Sequence, residues 1–363
     1  MNTLLKHSLS SFLLAVLSLT CFAQLSVKPG NKNISYMGRI KVNEDSVSFY
    51  WPGSSATLNF TGTGIIADMK SLGEEGFFYA IIDGDASNAL KFGSNSSRQD
   101  FTLAKGLPQG KHTLELFKVS NNTSENILYG LEIEGNASIS EPEKLPKRKI
   151  EFYGNSITAG HGVDVPAGMD DSGLAKYFNN YYTYAALTAR HFNAQYSCIA
   201  RSGIGIMLSW FPEIMPEIYD RLDPADPRSK WDFNQYTPDI VVINLFQNDY
   251  WLSNMPEHPQ FKARFGTKKP TEDFIIQSYQ SFVASIRKKY PKAHIICALG
   301  NMNATEQISK WPGYIKQAVS NLHDNKIHTI FFPYKNTPGH PKKNEQQAMA
   351  NDLIGFIEKT IKW

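Results

Sequence analysis

The sequence predicts an α/β chain in two parts, an all-β jelly-roll domain followed by a three-layer α/β/α sandwich around a parallel sheet. Three observations predict it. From about Leu25 to Asn136, short runs of alternating apolar and polar residues recur between turn residues, the period-two signature of half-buried strands. From Lys149 onward, apolar strand-like runs alternate with amphipathic helical stretches, the pattern of a parallel sheet covered on both faces. Between them, the segment Ser138 to Pro146 is polar, carries two prolines and reads as a linker. The 363 residues exceed what one average domain needs, and the 42% hydrophobic content is ample for two cores.

The first element is an export signal. Lys6 and His7 give a basic start, and Phe12 to Leu19 an apolar core too short for a permanent membrane anchor. Cys21-Phe22-Ala23 presents small residues where a signal peptidase inspects the chain, so residues 1–23 are expected to be cleaved before Gln24 and the protein to be secreted or periplasmic. Residues 24–137 form the all-β domain. Strands are expected around Ser46 to Trp51, Ala56 to Phe60, Phe77 to Ile82, His112 to Phe117 and Leu128 to Ile133. Pro52-Gly53, Asp83-Gly84, Pro108-Gln109-Gly110 and Asn121-Asn122 punctuate them. Residues 138–146 are the linker.

Residues 147–363 form the α/β part. Five buried strands are expected, at Lys149 to Tyr153, Gln195 to Ala200, Asp239 to Leu245, His294 to Leu299 and Ile327 to Phe332. Helices fit between and after them, at Tyr182 to Phe192, Glu272 to Tyr290 and Asn344 to Ile361, the last with Met349, Leu353, Ile354 and Ile357 at helical spacing. Right-handed crossovers then place helices on both faces.

Composition narrows the partners. The formal charge is +3 with no long basic run, so nothing calls for nucleic acid or an anionic membrane. No segment is long and apolar enough for a membrane span, and a monomer is expected. Aromatic residues are 12%; they suit either sugar stacking or plain β-domain cores. Cys198 and Cys297 fall in apolar strand-like runs and read as buried free thiols. No His, Cys, Asp or Glu pattern has metal-ligand spacing, and neither a metal nor a cofactor is expected.

The residues able to do chemistry follow the strands. Ester hydrolysis by serine needs a base, donors for the oxyanion and usually a group that orients the base. Ser156 follows the first strand of the α/β part in Gly154-Asn155-Ser156-Ile157-Thr158, a segment that by itself is also an ordinary turn. Gly203 and Gly205 follow the second strand, Asn248-Asp249 the third and His340-Pro341 the fifth. Loops after strands converge on the carboxyl edge of a parallel sheet, where open α/β folds bind ligands. His161, near Ser156, is a competing base, and Gly205 competes with Gly203 as an oxyanion donor. Asp249 reads as structural. Trp210, Tyr250 and Trp251 flank the site as substrate-stacking candidates or as loop packing.

The order Gly154-Asn155-Ser156, Gly203, Asn248-Asp249, His340-Pro341 resembles the four sequence blocks of the SGNH (GDSL-type) hydrolases. Gly38-Arg39, Trp51 to Ser55, Ile82-Asp83-Gly84, Gly106 to Thr113 and Met215 to Arg221 resemble the acetylxylan esterases of carbohydrate esterase family two. The resemblance implies Ser156 as nucleophile and His340 as general base. It implies the Ser156 and Gly203 backbone N–H groups and the Asn248 side chain as oxyanion hole. Two departures carry weight. Phe246 stands where the family has glycine and is expected to narrow the site. Thr337 and Pro338 stand where the triad aspartate belongs, so a Ser156–His340 dyad is expected, its imidazole held by a backbone carbonyl or another side chain. The implied activity is removal of O-acetyl groups from plant cell-wall polysaccharide. The alternatives are a deacylase for another acyl group or sugar, and a carbohydrate-binding protein that lost activity with the aspartate.

Overall fold

The computed structural model describes residues 24–121 and 124–363. The expected signal peptide, residues 1–23, lies outside the described residues, as does Asn122 of the expected turn.

The N-terminal part is one antiparallel sheet of ten strands. The expected strands are present, but two run much further than their apolar cores: Ser55–Leu72 and Gln99–Lys118 are 18 and 20 residues long. They pair antiparallel, with register shifts between Gly62 and Gly64 and between Ile65 and Ile66. Such irregularities bend a long ribbon so that it can wrap its own core. Glycine is required at Gly62, where a Cβ would lie 2.6 Å from the Glu134 carbonyl oxygen. Phe49, Leu58, Ile65, Phe78, Leu116 and Ile133 pack in the resulting core. The first residues of the expected linker belong to this sheet, since Ser138–Ser140 pairs with Asn59 to Thr61.

The five expected strands of the second part are β1 (Lys149–Gly154), β2 (Gln195–Ala200), β3 (Ile240–Asn244), β4 (His294–Leu299) and β5 (Ile327–Phe331). They form one parallel sheet in the order β2-β1-β3-β4-β5. Alternate side chains serve opposite faces. Ile150, Phe152, Val242 and Ile296 pack with α1 (Tyr184–His191) and α4 (Lys343–Thr360), whereas Tyr153, Val241, Ile243 and Ile295 pack with α2 (Glu272–Lys289) and α3 (Trp311–Asn321). The ends of α2 are written in its sequence. Thr271 accepts from the Phe274 N–H at 3.2 Å, Glu272 and Asp273 occupy the first turn, and Arg287, Lys288 and Lys289 the last. Cys198 and Cys297 are buried free thiols, and burial pushes both up to about 12.

The two parts share cores. Tyr79, Ile81, Phe117 and Val119 of the β domain join one face of the α/β layer, and Tyr50 and Trp51 join the other. Arg39 crosses the boundary fully buried: Nη1 donates to the carbonyls of Tyr219 (2.6 Å) and Arg221 (3.1 Å), and Nη2 to the Tyr153 hydroxyl at 2.9 Å. Nη2 also lies 3.4 Å from Glu151, whose carboxylate accepts from Tyr290 (2.8 Å) and Ser197 (2.9 Å). The Trp51 indole donates to the Leu222 carbonyl at 2.8 Å. The Gly38-Arg39, Trp51 and Met215-to-Arg221 motifs are therefore two halves of one contact.

Candidate active site

β1 ends at Gly154, where a Cβ would lie 2.1 Å from Thr158 Oγ1, so only glycine fits. Asn155 remains extended and its side chain accepts from the Ile157 N–H at 3.0 Å, capping a single helical turn, Ser156–Ala159. Gly160, left-handed at φ +89°, closes that turn by donating to the Ser156 carbonyl at 3.0 Å. This sharp strand-to-helix change points the Ser156 hydroxyl to the sheet edge, at 2.8 Å from His340 Nε2.

The expectation of a dyad without a carboxylate is overturned. Asp171 Oδ2 accepts from both His340 Nδ1 and the His340 backbone N–H, the latter at 3.1 Å. The carboxylate arrives from the loop between the Ser156 turn and α1, not from the positions just before the histidine. Glycines make room for it: a Cβ on Gly162 (φ +68°) would lie 2.4 Å from Asp171 Oδ1, and one on Gly339 (φ +69°) 3.1 Å from Asp171 Cβ. Thr337 and Pro338 hold the histidine turn instead. Lys335 Nζ donates to the Thr337 carbonyl (2.7 Å) and the Pro338 carbonyl (3.2 Å), and the Thr337 hydroxyl donates to Glu345. Partial burial works to raise the Asp171 pKa, but the hydrogen bond and charge of His340 outweigh it and hold the carboxyl well below its usual range.

His161 stacks on His340, ring centroids 3.9 Å apart, and also touches Phe178 at 4.7 Å. Burial, then the neighbouring His340, push its pKa down to about 3. The ring that meets Ser156 is His340, and His161 is a neutral wall behind it. His161, Asp171 and His340 offer three ligand atoms within 4.8 Å of one another. A cation there would compete with the bonds from His340 to Asp171 and Ser156, so the cluster reads as a base with its orienting carboxylate and a ring packed behind it.

The oxyanion candidates lie on one network. Gly203 is left-handed at φ +81°. Its carbonyl accepts from the Trp210 backbone N–H, and the Trp210 indole donates to Asn248 Oδ1, both at 3.0 Å. Asn248 Nδ2 donates one hydrogen to the Ile204 carbonyl at 2.7 Å and has a second to offer. The Gly205 N–H is committed to Ser209 Oγ at 3.0 Å, which favours Gly203 as the donor. Asp249 is structural, as expected: its buried carboxylate gathers the N–H groups of Ile206, Met207 and Leu208.

Phe246 does not narrow the site. Its backbone takes φ +87°, the left-handed region that glycine adopts at no cost, and this turns the ring into the core against Tyr279 (4.7 Å) and Trp311 (4.9 Å).

The three aromatic candidates separate. Trp251 lines a cleft of about 500 Å³ beside His340 with Met302, Asn303, Tyr334 and Asn336. Trp210 is 43% exposed next to Gly203 and Asn248. Tyr250 is half-buried and packs towards Trp311 at 6.1 Å, so loop packing accounts for it.

The chain is similar to known proteins over most of its length. Residues 36–142 match the carbohydrate esterase 2 N-terminal family, and residues 152–355 the GDSL-like lipase/acylhydrolase family. The chain is 32% identical to the cellulase/esterase CelE of Acetivibrio thermocellus over 92% of its own length, and spans about two fifths of that relative. It is 26% identical to an acetylxylan esterase/glucomannan deacetylase of Cellvibrio japonicus, over 93% of this chain and 92% of that one. A solved family two carbohydrate esterase from Clostridium thermocellum, in complex with cellohexaose, superposes with a TM-score of 0.78 at 31% identity, over 90% of this chain and 98% of that one. With both family regions in order and a serine, histidine and carboxylate assembled at the sheet edge, the chain belongs to the GDSL-like (SGNH) hydrolases and, among them, to the family two carbohydrate esterases, which are carboxylic ester hydrolases.

Proposed function

We propose that this protein is an exported serine esterase that removes O-acetyl groups from plant cell-wall polysaccharide. The observation that carries the reading is the continuous relay from Ser156 Oγ through His340 to Asp171. His340 Nε2 takes the Ser156 proton as Oγ attacks the acetyl carbonyl. The negative charge that develops on the carbonyl oxygen is met by the Ser156 and Gly203 N–H groups and Asn248 Nδ2. One such donor is worth about 3–4 kcal/mol in the transition state. Asp171 stabilises the imidazolium, which gives its proton to the departing sugar oxygen. Water then enters, gives a proton to the same nitrogen and attacks the acyl carbon; His340 returns that proton to Ser156 Oγ as the acyl–oxygen bond breaks and acetate leaves.

The cleft beside His340 lies on the leaving-group side, where a sugar ring stacks on Trp251. Trp210 and Phe211 crowd the other side, their atoms 3.3 and 3.2 Å from where a Gly203 Cβ would be, which suits a small acyl group. The reading of an inactive sugar-binding protein rested on the missing aspartate, and Asp171 supplies that carboxylate. Export is supported by the pattern of residues 1–23, and among the described residues no helix is long and apolar enough to cross a membrane. A panel of acetyl, butyryl and feruloyl esters tests the acyl preference: acetyl esters should turn over fastest, and equal turnover of the larger acyl groups would contradict it.

A further inference from the structure

Asp171 belongs to a loop that has little packing of its own. Residues 166–171 are all exposed, and a quarter of the Asp171 side chain is open to solvent. The carboxylate itself meets His340, with Lys342 Nζ 3.9 Å from its other oxygen, and the neck of its loop is gripped by the N-terminal domain. Lys91 Nζ donates to the Asp164 carboxylate at 2.7 Å on one side of the neck, and to the Lys176 and Phe178 carbonyls at 2.7 and 2.8 Å on the other. Tyr79 sits opposite Lys91 across the two antiparallel strands that carry them, and its hydroxyl accepts from Asn179 Nδ2 at 2.6 Å. The other Asp164 oxygen lies 3.2 Å from Lys343 Nζ, in the helix that follows His340. One carboxylate thus ties the β domain, the Asp171 loop and the histidine segment together.

We infer that Lys91 is a positioning residue for the reaction: by clamping residues 164 and 176–178, the N-terminal domain sets Asp171 against His340 Nδ1. This rests on the reading of Asp171 as the orienting carboxylate. It gives the β domain a positioning task in the reaction, and it explains why the carboxylate can come from an exposed loop. A misplaced orienting group costs rate rather than binding.

The test is a double-mutant cycle on the mature full-length enzyme, with Lys91→Met, Lys91→Arg, Asp171→Ala and Lys91→Met/Asp171→Ala. Lys91→Met should lower kcat by roughly tenfold to a hundredfold with KM little changed and the melting temperature retained. Lys91→Arg should recover most of the rate. In the Asp171→Ala background, Lys91→Met should have no further effect. If Lys91→Met does not fold, Tyr79→Phe removes the neighbouring bond with almost no change of shape and enters the same cycle. A Lys91→Met enzyme as fast as wild type beside an impaired Asp171→Ala would overturn this inference alone, as would an equal loss in both backgrounds. Full activity of Asp171→Ala would overturn the role of Asp171 itself, and this inference with it.

Discussion

Asp171 accepts the Nδ1 hydrogen of His340 from a position 169 residues earlier in the chain. The geometry of a serine hydrolase relay is kept, although the carboxylate comes from a different segment than the histidine's own turn. The relay is recognised by contact, not by sequence position.

Replacing Asp171 by asparagine keeps the shape and removes the charge. The amide can hold the imidazole in the wrong tautomer. kcat on an acetyl ester should fall by roughly two to four powers of ten with KM little changed. Steady-state kinetics check this, and a rate within about twofold of wild type would contradict it.

Trp210 couples the two oxyanion candidates through its backbone and its indole. Trp210→Phe keeps an aromatic ring and deletes only the indole N–H. The loss of one orienting hydrogen bond should lower kcat roughly tenfold, about 1.4 kcal/mol, and leave KM close to wild type. A kcat within about twofold of wild type would contradict a role for the indole bond.

Arg39 joins the domains with its charge buried beside Glu151. Arg39→Ala would leave that carboxylate without its cation and should cost about 3–5 kcal/mol in urea unfolding. For the same reason residues 147–363 alone should fail to give a cooperative transition. A stable, fully active fragment would count against a shared core.

His161 makes stability depend on acid. Its folded-state pKa of about 3 lies below the ordinary 6.5. Between those values the unfolded chain binds a proton that the native state excludes, so stability falls as pH drops from 6.5 towards 3 and is unaffected above. His161→Phe removes this contribution. Urea midpoints at pH 7 and pH 4.5 should differ less for the variant than for wild type, and an identical pH dependence would contradict the assignment.

The parallel sheet was legible because its strands are apolar on both faces and bounded by turn residues. Ser156, Gly203, Asn248 and His340 were legible for a related reason: each directly follows a strand or closes a loop at the same sheet edge. Asp171 was not, because a loop carboxylate has no fixed spacing to the residues it meets. Its only local trace was the set of glycines that leave it room. Phe246 misled because side-chain bulk says nothing about direction, and its left-handed backbone sends the ring into the core. The long strands were hidden because glycines, which usually punctuate, here sit within a continuous ladder at an irregular register.

The proposed deacetylation of polysaccharide depends on Ser156 as nucleophile, with His340 and Asp171 behind it. The most direct measurement is acetate release from acetylated xylan and acetylated glucomannan by the chain from Gln24 to Trp363, beside its Ser156→Ala variant. The wild type should release acetate and the variant should not, with binding to the polymer retained. Equal release by the two proteins, or none from either polymer by the wild type, would contradict it.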